Sequence, residues 1–157
     1  MGDTMHTEMT RTNPPTTVAA IEAFERDRGL TLPPSYKDFL LVTNGGVPAA
    51  PAFPVDGMPD TRTWLIQVFF GIGVREPTSE LSYGFDLYAG GIPEGIVPIA
   101  ADGMGNYICL DLRKGRERVA FWDKRHFWGT GEWRESDLYH AANSFAEFLA
   151  SLGPNPY

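Results

Sequence analysis

The stretch from Leu32 to Gly46, Leu-Pro-Pro-Ser-Tyr-Lys-Asp-Phe-Leu-Leu-Val-Thr-Asn-Gly-Gly, constrains the chain most, because it spells a short helix together with both of its ends. Proline is excluded from a helix interior. At the first helical position, however, its fixed φ is already helical and its missing N–H would have had no partner. Pro33-Pro34 therefore predicts a helix beginning at about Pro34. Tyr36, Phe39, Leu40 and Thr43 then fall at i, i+3, i+4 and i+7, which gathers two rings and a leucine on one face that has to be buried. Asn44-Gly45-Gly46 supplies residues that accept a left-handed backbone, the usual chemistry of a helix end.

The segments on either side extend this pattern. Thr16 to Arg28 predicts an earlier helix, with Thr16 or Thr17 as N-cap, Val18, Ile21 and Phe24 facing inward, and Gly29 as its stop. The two helices should form a compact corner. Val47 to Thr63 is rich in Pro, Ala and Gly, shows neither helical nor strand period, and predicts a long loop with at most one short turn. Trp64 to Phe70 is dense in β-formers and predicts a central strand, and Thr78 to Tyr88 a short helix.

From Gly95 onward the pattern is clearer. Ile96–Ala100 and Tyr107–Leu112 flank Asp102-Gly103-Met104-Gly105-Asn106, a turn whose glycines and asparagine permit positive φ, so a β-hairpin is expected. Pro98 requires an edge, a bulge, or a strand that begins just after it. Lys114-Gly115-Arg116 makes the next turn, and Val119 to Asp123 returns as a third antiparallel strand. Lys124 to Glu135 predicts a loop that leads into a short strand near Leu138 to Ala141. Ser144 and Glu147 form a capping box for a last helix carrying Phe145, Phe148, Leu149 and Leu152. Two helices, an antiparallel meander and a terminal helix make an α+β chain.

Composition narrows the function classes. A chain of 157 residues fits one domain, read here as residues 16–157 behind a flexible tail, residues 1–15, that has the features of neither a signal peptide nor an anchor. The single cysteine, Cys109, has no partner within the chain and lies in an apolar run, which suits a buried thiol in the cytoplasm. No run of about 18 apolar residues is present, so no membrane span is expected. A net charge of −7 argues against direct nucleic-acid binding, which needs clustered Lys and Arg, and favours a basic partner.

Several residue groups set out above form a pattern with a known counterpart. Ile21, Glu22 and Phe24, then Gly29, Leu32-Pro33, Tyr36-Lys37, Phe39-Leu40 and Asn44-Gly45-Gly46, resemble the opening signature of the SMI1/KNR4 (SUKH) superfamily. The likeness continues through Ile92-Pro93, Val97-Pro98-Ile99-Ala100, Asp102, Gly105-Asn106, Ile108, Leu110-Asp111 and Trp122-Asp123. It closes on Ala142, Ser144-Phe145 and Glu147-Phe148-Leu149, covering residues from about 17 to 152. The resemblance implies the same α+β order. For a bacterial member it implies an immunity protein that neutralises a cognate polymorphic toxin, often a nuclease or deaminase, by direct binding. It also implies, as an alternative, a signalling scaffold like the fungal cell-wall regulators.

Catalytic motifs are sparse. Gly103-Met104-Gly105-Asn106 lacks the spacing, lysine and following helix of a phosphate loop, and a hairpin turn accounts for it. His6, His126 and His140 form no metal-binding pair, so neither a metal nor a cofactor is expected. No serine sits in a nucleophile elbow, and Cys109 should point into a sheet. An enzymatic alternative would bring Asp102, Asp111 and His126 together, since paired carboxylates can divide acid and base roles. The leading expectation is a non-enzymatic protein-binding surface built from Asp56, Asp60, Asp102, Asp123, Trp128, Glu132, Trp133 and Glu135. There acidic groups would meet a basic toxin while tryptophan excludes water. Trp128 and Trp133 are equally compatible with a role as caps on the core; Trp122, on a strand, should be core.

Overall fold

The computed structural model describes residues 8–58, 63–115 and 117–157. In chain order the elements are β1 (Met9–Arg11), α1 (Val18–Arg28), α2 (Pro34–Val42), β2 (Val47–Pro48), β3 (Ala52–Phe53), β4 (Trp64–Leu65), β5 (Val68–Phe69), α3 (Leu81–Tyr88), β6 (Ile96–Ala101), β7 (Tyr107–Asp111), β8 (Arg118–Trp122), α4 (Arg125–Thr130), β9 (Leu138–Ala142) and α5 (Phe145–Ser151). This is the expected α+β class.

The helices start and stop where their end residues dictate. The Ala20 N–H donates to the Thr17 hydroxyl at 3.1 Å, and Gly29, at φ 63°, closes α1. The Glu25 carboxylate then accepts the Leu32 N–H at 2.7 Å and lies 3.4 Å from Lys37, which fixes the corner into α2. Helix α2 begins at Pro34 and buries Tyr36, Phe39 and Leu40. Against that face α5 sets Phe145, with ring centroids 5.0 Å from Tyr36 and 5.2 Å from Phe39, and Phe69 closes on Phe39 at 4.9 Å. The capping box forms with one change. Ser144 Oγ accepts the Glu147 N–H at 3.1 Å, but the Glu147 carboxylate reaches the Asn143 N–H, one residue earlier than the usual pattern.

Strands β5-β6-β7-β8-β9 form one antiparallel sheet in sequence order. Its register defines two ends. Ala101, Tyr107, Trp122 and Leu138 lie together at one; Ile96, Asp111 and Arg118 lie at the other. Pro98 is accommodated by a bulge, the β6–β7 register shifting between Pro98 and Ala100.

Five expectations need correction. Val18, expected on the inward face of α1, is 57% exposed in its first turn, and only Ile21 and Phe24 of that face are buried. Trp64 to Phe70 is not one central strand. Trp64–Leu65 pairs with β3, the backbone changes partner between Ile66, bound to Pro51 O, and Gln67, bound to Ala101 O, and Val68–Phe69 lies at the sheet edge. β-Propensity marks residues that suit a pleated surface and says nothing of which surface. The supposed loop after Val47 holds β2 and β3, each two residues long, below the length at which alternation is visible. Residues 8–15, assigned to the flexible tail, are docked: β1 pairs with β2, and Asn13 donates to Asn44 O at 2.8 Å. The loop expected from Lys124 carries the one-and-a-half-turn helix α4, which ends at Gly131 with φ 72°.

Asn44-Gly45-Gly46 does more than end α2. Asn44, at φ 50° and with no exposed surface, donates to Pro14 O and Ile72 O and accepts the Ile72 N–H, each at 2.8 Å. A Cβ on Gly46 would lie 2.0 Å from Arg11 O, and one on Gly45 would lie 2.4 Å from Phe70 O. The motif is therefore the point where β1, the end of α2 and the strand at the sheet edge converge.

Candidate partner-binding groove

At the Tyr107 end of the sheet, the hairpin turn is built by one carboxylate. Asp102 Oδ1 accepts the Met104 and Asn106 N–H groups at 2.8 and 2.9 Å, and Oδ2 accepts Asn106 Nδ2 at 2.9 Å. Asn106 Oδ1 in turn accepts the Lys124 N–H at 2.9 Å, so the turn is tied to the start of α4. Helix α4 then brings the Trp128 indole against Gly105, where a Cβ would fall 1.8 Å from the ring. Only glycine permits this approach, and its φ of 92° suits the turn as well. Trp128 nonetheless stays 57% exposed.

Beneath it lies Lys124, 3% exposed. Its ammonium donates to the Tyr88 hydroxyl at 2.8 Å and stands 3.6 Å from the Tyr107 ring centroid, 4.6 Å from that of Tyr88 and 5.4 Å from that of Trp128. Electrostatic attraction to the ring faces replaces part of its lost hydration. Burial pushes the Tyr107 hydroxyl well above its ordinary pKa, with the neighbouring Tyr88 adding to the effect.

Tyr107 and Lys124 belong to the lining of a groove of about 1060 Å³ that runs between residues 11–14, the β5 edge, α3 and the hairpin turn. Exposed Tyr83 and Leu87 project from the α3 side, and exposed Met104 and Trp128 stand at the turn. Of the eight large apolar side chains exposed among the described residues, Tyr83 and Leu87 line this groove, and Met104 and Trp128 stand next to its lining residues Gly103, Gly105 and Lys124.

The expected surface residues do not assemble into a single acidic face. Asp102 and Asp123 are corrections: both are buried, Asp102 holding the turn and Asp123 accepting from the Arg125 side chain at 2.6 Å. That hydrogen bond, opposed by burial, holds the Asp123 carboxyl below its usual range. Glu135 is paired with Arg113 at 2.7 Å, near the Asp111 end of the sheet. Asp56 is exposed, its N–H bound to His140 O on the opposite sheet edge, and Asp60 lies outside the described residues. Glu132 is exposed, 3.7 Å from His126 Nε2. The two tryptophan readings separate: Trp133 is half-buried with its ring 5.3 Å from that of Trp122, a cap on the core, whereas Trp128 is presented to solvent.

Asp102, Asp111 and His126 are not brought to one point. Asp111 sits opposite Ile96 and Arg118 at one end of the sheet, Asp102 follows Ala101 at the other, and β6 and β7 run between them. Asp111 is fully buried; burial pushes its carboxyl upward, but hydrogen bonds from Arg113 and Arg118 outweigh that and hold it below the usual range. Cys109 is buried in β7, where loss of water pushes its thiol well above the ordinary value. Among the described residues no group of His, Cys, Asp and Glu has the arrangement of a metal site, and no helix is long and apolar enough to cross a membrane.

Arg11, Arg75, Tyr83, Leu87 and Lys124 were absent from the expected surface. Arg11 fell within the supposed tail, and the others are single residues whose proximity depends on helix–sheet packing rather than on spacing.

Comparison with known proteins agrees with this architecture. The chain is 28% identical, over 151 residues covering 87% of it and 74% of the relative, to the SPbeta prophage-derived uncharacterized protein YokK of Bacillus subtilis strain 168. The family model of SMI1/KNR4 (SUKH-1) matches residues 15–151, from the strap ahead of α1 to the last residue of α5, and the chain belongs to that family.

Proposed function

We propose that this chain is a non-enzymatic immunity-type protein that neutralises a cognate toxin domain by binding to it and blocking its working surface. Membership of the SMI1/KNR4 family supports a protein-binding role. The observation that carries the reading is the groove with solvent-facing Tyr83 and Leu87 in its lining and solvent-facing Met104 and Trp128 at the adjoining hairpin turn. Rigid aromatic side chains that remain exposed cost water contact in the free protein and become favourable on association, which is why they mark interfaces. Trp128 is pre-positioned on Gly105, so little side-chain freedom is lost when a partner covers it. The kinship with a prophage-derived protein fits a gene carried with mobile conflict systems. The net charge of −7 would speed encounter with a basic toxin.

The test is co-expression with the C-terminal domain of a toxin-like protein sought among the products of the neighbouring genes. Growth should be restored and the two chains should co-elute, and Trp128→Ala should weaken binding by 2 kcal/mol or more, on the order expected for a central aromatic anchor. Unrelieved toxicity together with separate elution at low salt would reject the reading.

A further inference from the structure

The groove differs in charge from the rest of the molecule. Among the described residues, Arg28, Lys37, Arg113, Arg118, Arg125 and Arg134 each lie on a carboxylate. Arg11, Arg26, Arg75, Lys114 and Lys124 have no such partner, and three of these five, Arg11, Arg75 and Lys124, line the groove. Glu76 is the one carboxylate in the same lining. A chain with 20 acidic and 13 basic side chains has thus left a concentration of unpaired cations in this groove.

Lys124 sharpens the point. An ammonium has three N–H donors, and here one is used by Tyr88 while aromatic faces stand around the remainder. A cation taken out of water without an anion is held at a cost, and that cost falls when an anion comes to rest nearby in the groove. We propose that the groove takes an extended, acidic segment of a partner protein, its apolar side chains lying against Tyr83, Leu87 and Trp128 and its carboxylates on exposed Arg11 and Arg75, with the buried Lys124 ammonium adding its positive charge from behind the Tyr107 ring. The inference rests on the protein-binding reading above and deepens it. The partner has the reverse charge pattern of this chain, a basic body with an acidic protruding segment.

The test pans a displayed library of random dodecapeptides against the full chain at low salt and measures the best binder in solution. Enriched peptides should combine Asp or Glu with apolar residues. Their affinity should fall at least about tenfold in the exposed double variant Arg11→Glu/Arg75→Glu, and also in Lys124→Met, which keeps the packing volume while removing the charge. Arg26→Glu and Lys114→Glu, cations elsewhere on the surface, should leave it unchanged. Enrichment of basic or uncharged peptides, no enrichment, or equal losses in the control variants would overturn the proposal. So would tighter binding of oligothymidylate than of any peptide with the same dependence on Arg11, Arg75 and Lys124, since that would make the groove a phosphate site. The two readings fail separately. A double variant that still rescues cells from the toxin removes the groove and leaves immunity standing, whereas acidic-peptide binding by a chain that gives no rescue removes immunity and leaves the groove.

Discussion

Replacing Asn44 with alanine should be among the most damaging single changes in the chain, and its size can be worked from the contacts. The side chain is fully buried and makes three hydrogen bonds of 2.8 Å, two to the backbone of Ile72 and one to Pro14 O. Alanine would orphan the N–H and the carbonyl of half-buried Ile72, at about 1 to 1.5 kcal/mol each, the lower part of the range for buried groups. Pro14 is exposed, so its carbonyl turns to water and the loss there is about 0.5 kcal/mol. Alanine at φ 50° adds about 1 kcal/mol, because its Cβ crowds the following carbonyl where asparagine is better tolerated. The expected destabilisation is about 4 kcal/mol, a large share of the roughly 5 to 15 kcal/mol typical of a domain. With an m-value of about 2 kcal/mol/M, the urea midpoint should fall by about 2 M. Asn44→Gly relieves the backbone but not the hydrogen bonds and should recover about 1 kcal/mol of the loss. Amide exchange should show Ile72 and the residue 11–14 strap opening first, since Asn44 is what holds that groove wall against the sheet edge. An alanine variant within about 1 kcal/mol of the parent would refute this assignment of the motif.

Gly105→Ala places a methyl group inside the Trp128 ring position, so the indole must leave the turn; tryptophan fluorescence should shift and partner affinity should drop, while Trp128→Ala itself costs no more than about 1 kcal/mol of stability because the ring is largely exposed. Asp111→Ala strands Arg113 and Arg118 around a buried site and should destabilise by about 3 kcal/mol, measured by urea titration at pH 7, with Glu135 compensating part of the charge on Arg113. Because Asp111 and Asp123 have folded pKa values below those of the unfolded chain, their stabilisation is complete above about pH 4 and is lost as pH falls from there through the folded values. Unfolding free energy should therefore decline below about pH 4, and Asp111→Asn should flatten that decline; an unchanged slope in the variant would show that other carboxylates govern it.

The parts of the molecule that were legible in the chain are those governed by neighbours in sequence. Pro34 at the start of α2, Thr17 and Ser144 as caps, Gly29 as a stop and the Asp102–Asn106 hairpin turn all act within a few residues, and each stands where local chemistry put it. The inward faces of α1, α2 and α5 were set by the same helical period that packs Phe24, Tyr36, Phe39 and Phe145 in the core. Family membership was legible for a related reason, since these local signals recur in a fixed order along the chain.

Tertiary structure decided the rest. Asp102 and Asp123 could be recognised as strand-end aspartates, but only the fold showed that their oxygens are consumed by Asn106 and Arg125 rather than offered to a partner. Trp128 and Trp133 lie five residues apart in one glycine-containing segment, and what separates them is that Trp133 meets Trp122 whereas Trp128 meets the bare backbone of Gly105. Arg11 comes from the supposed tail, Arg75 from the segment ahead of α3 and Lys124 from the start of α4; they share a groove because β1 pairs with β2 and the sheet brings its Tyr107 end beside α3. Local signals act through bonds and turns of a few residues, whereas a binding surface is made by strand pairing across long loops, and no period in the chain encodes which distant side chains that pairing will set side by side.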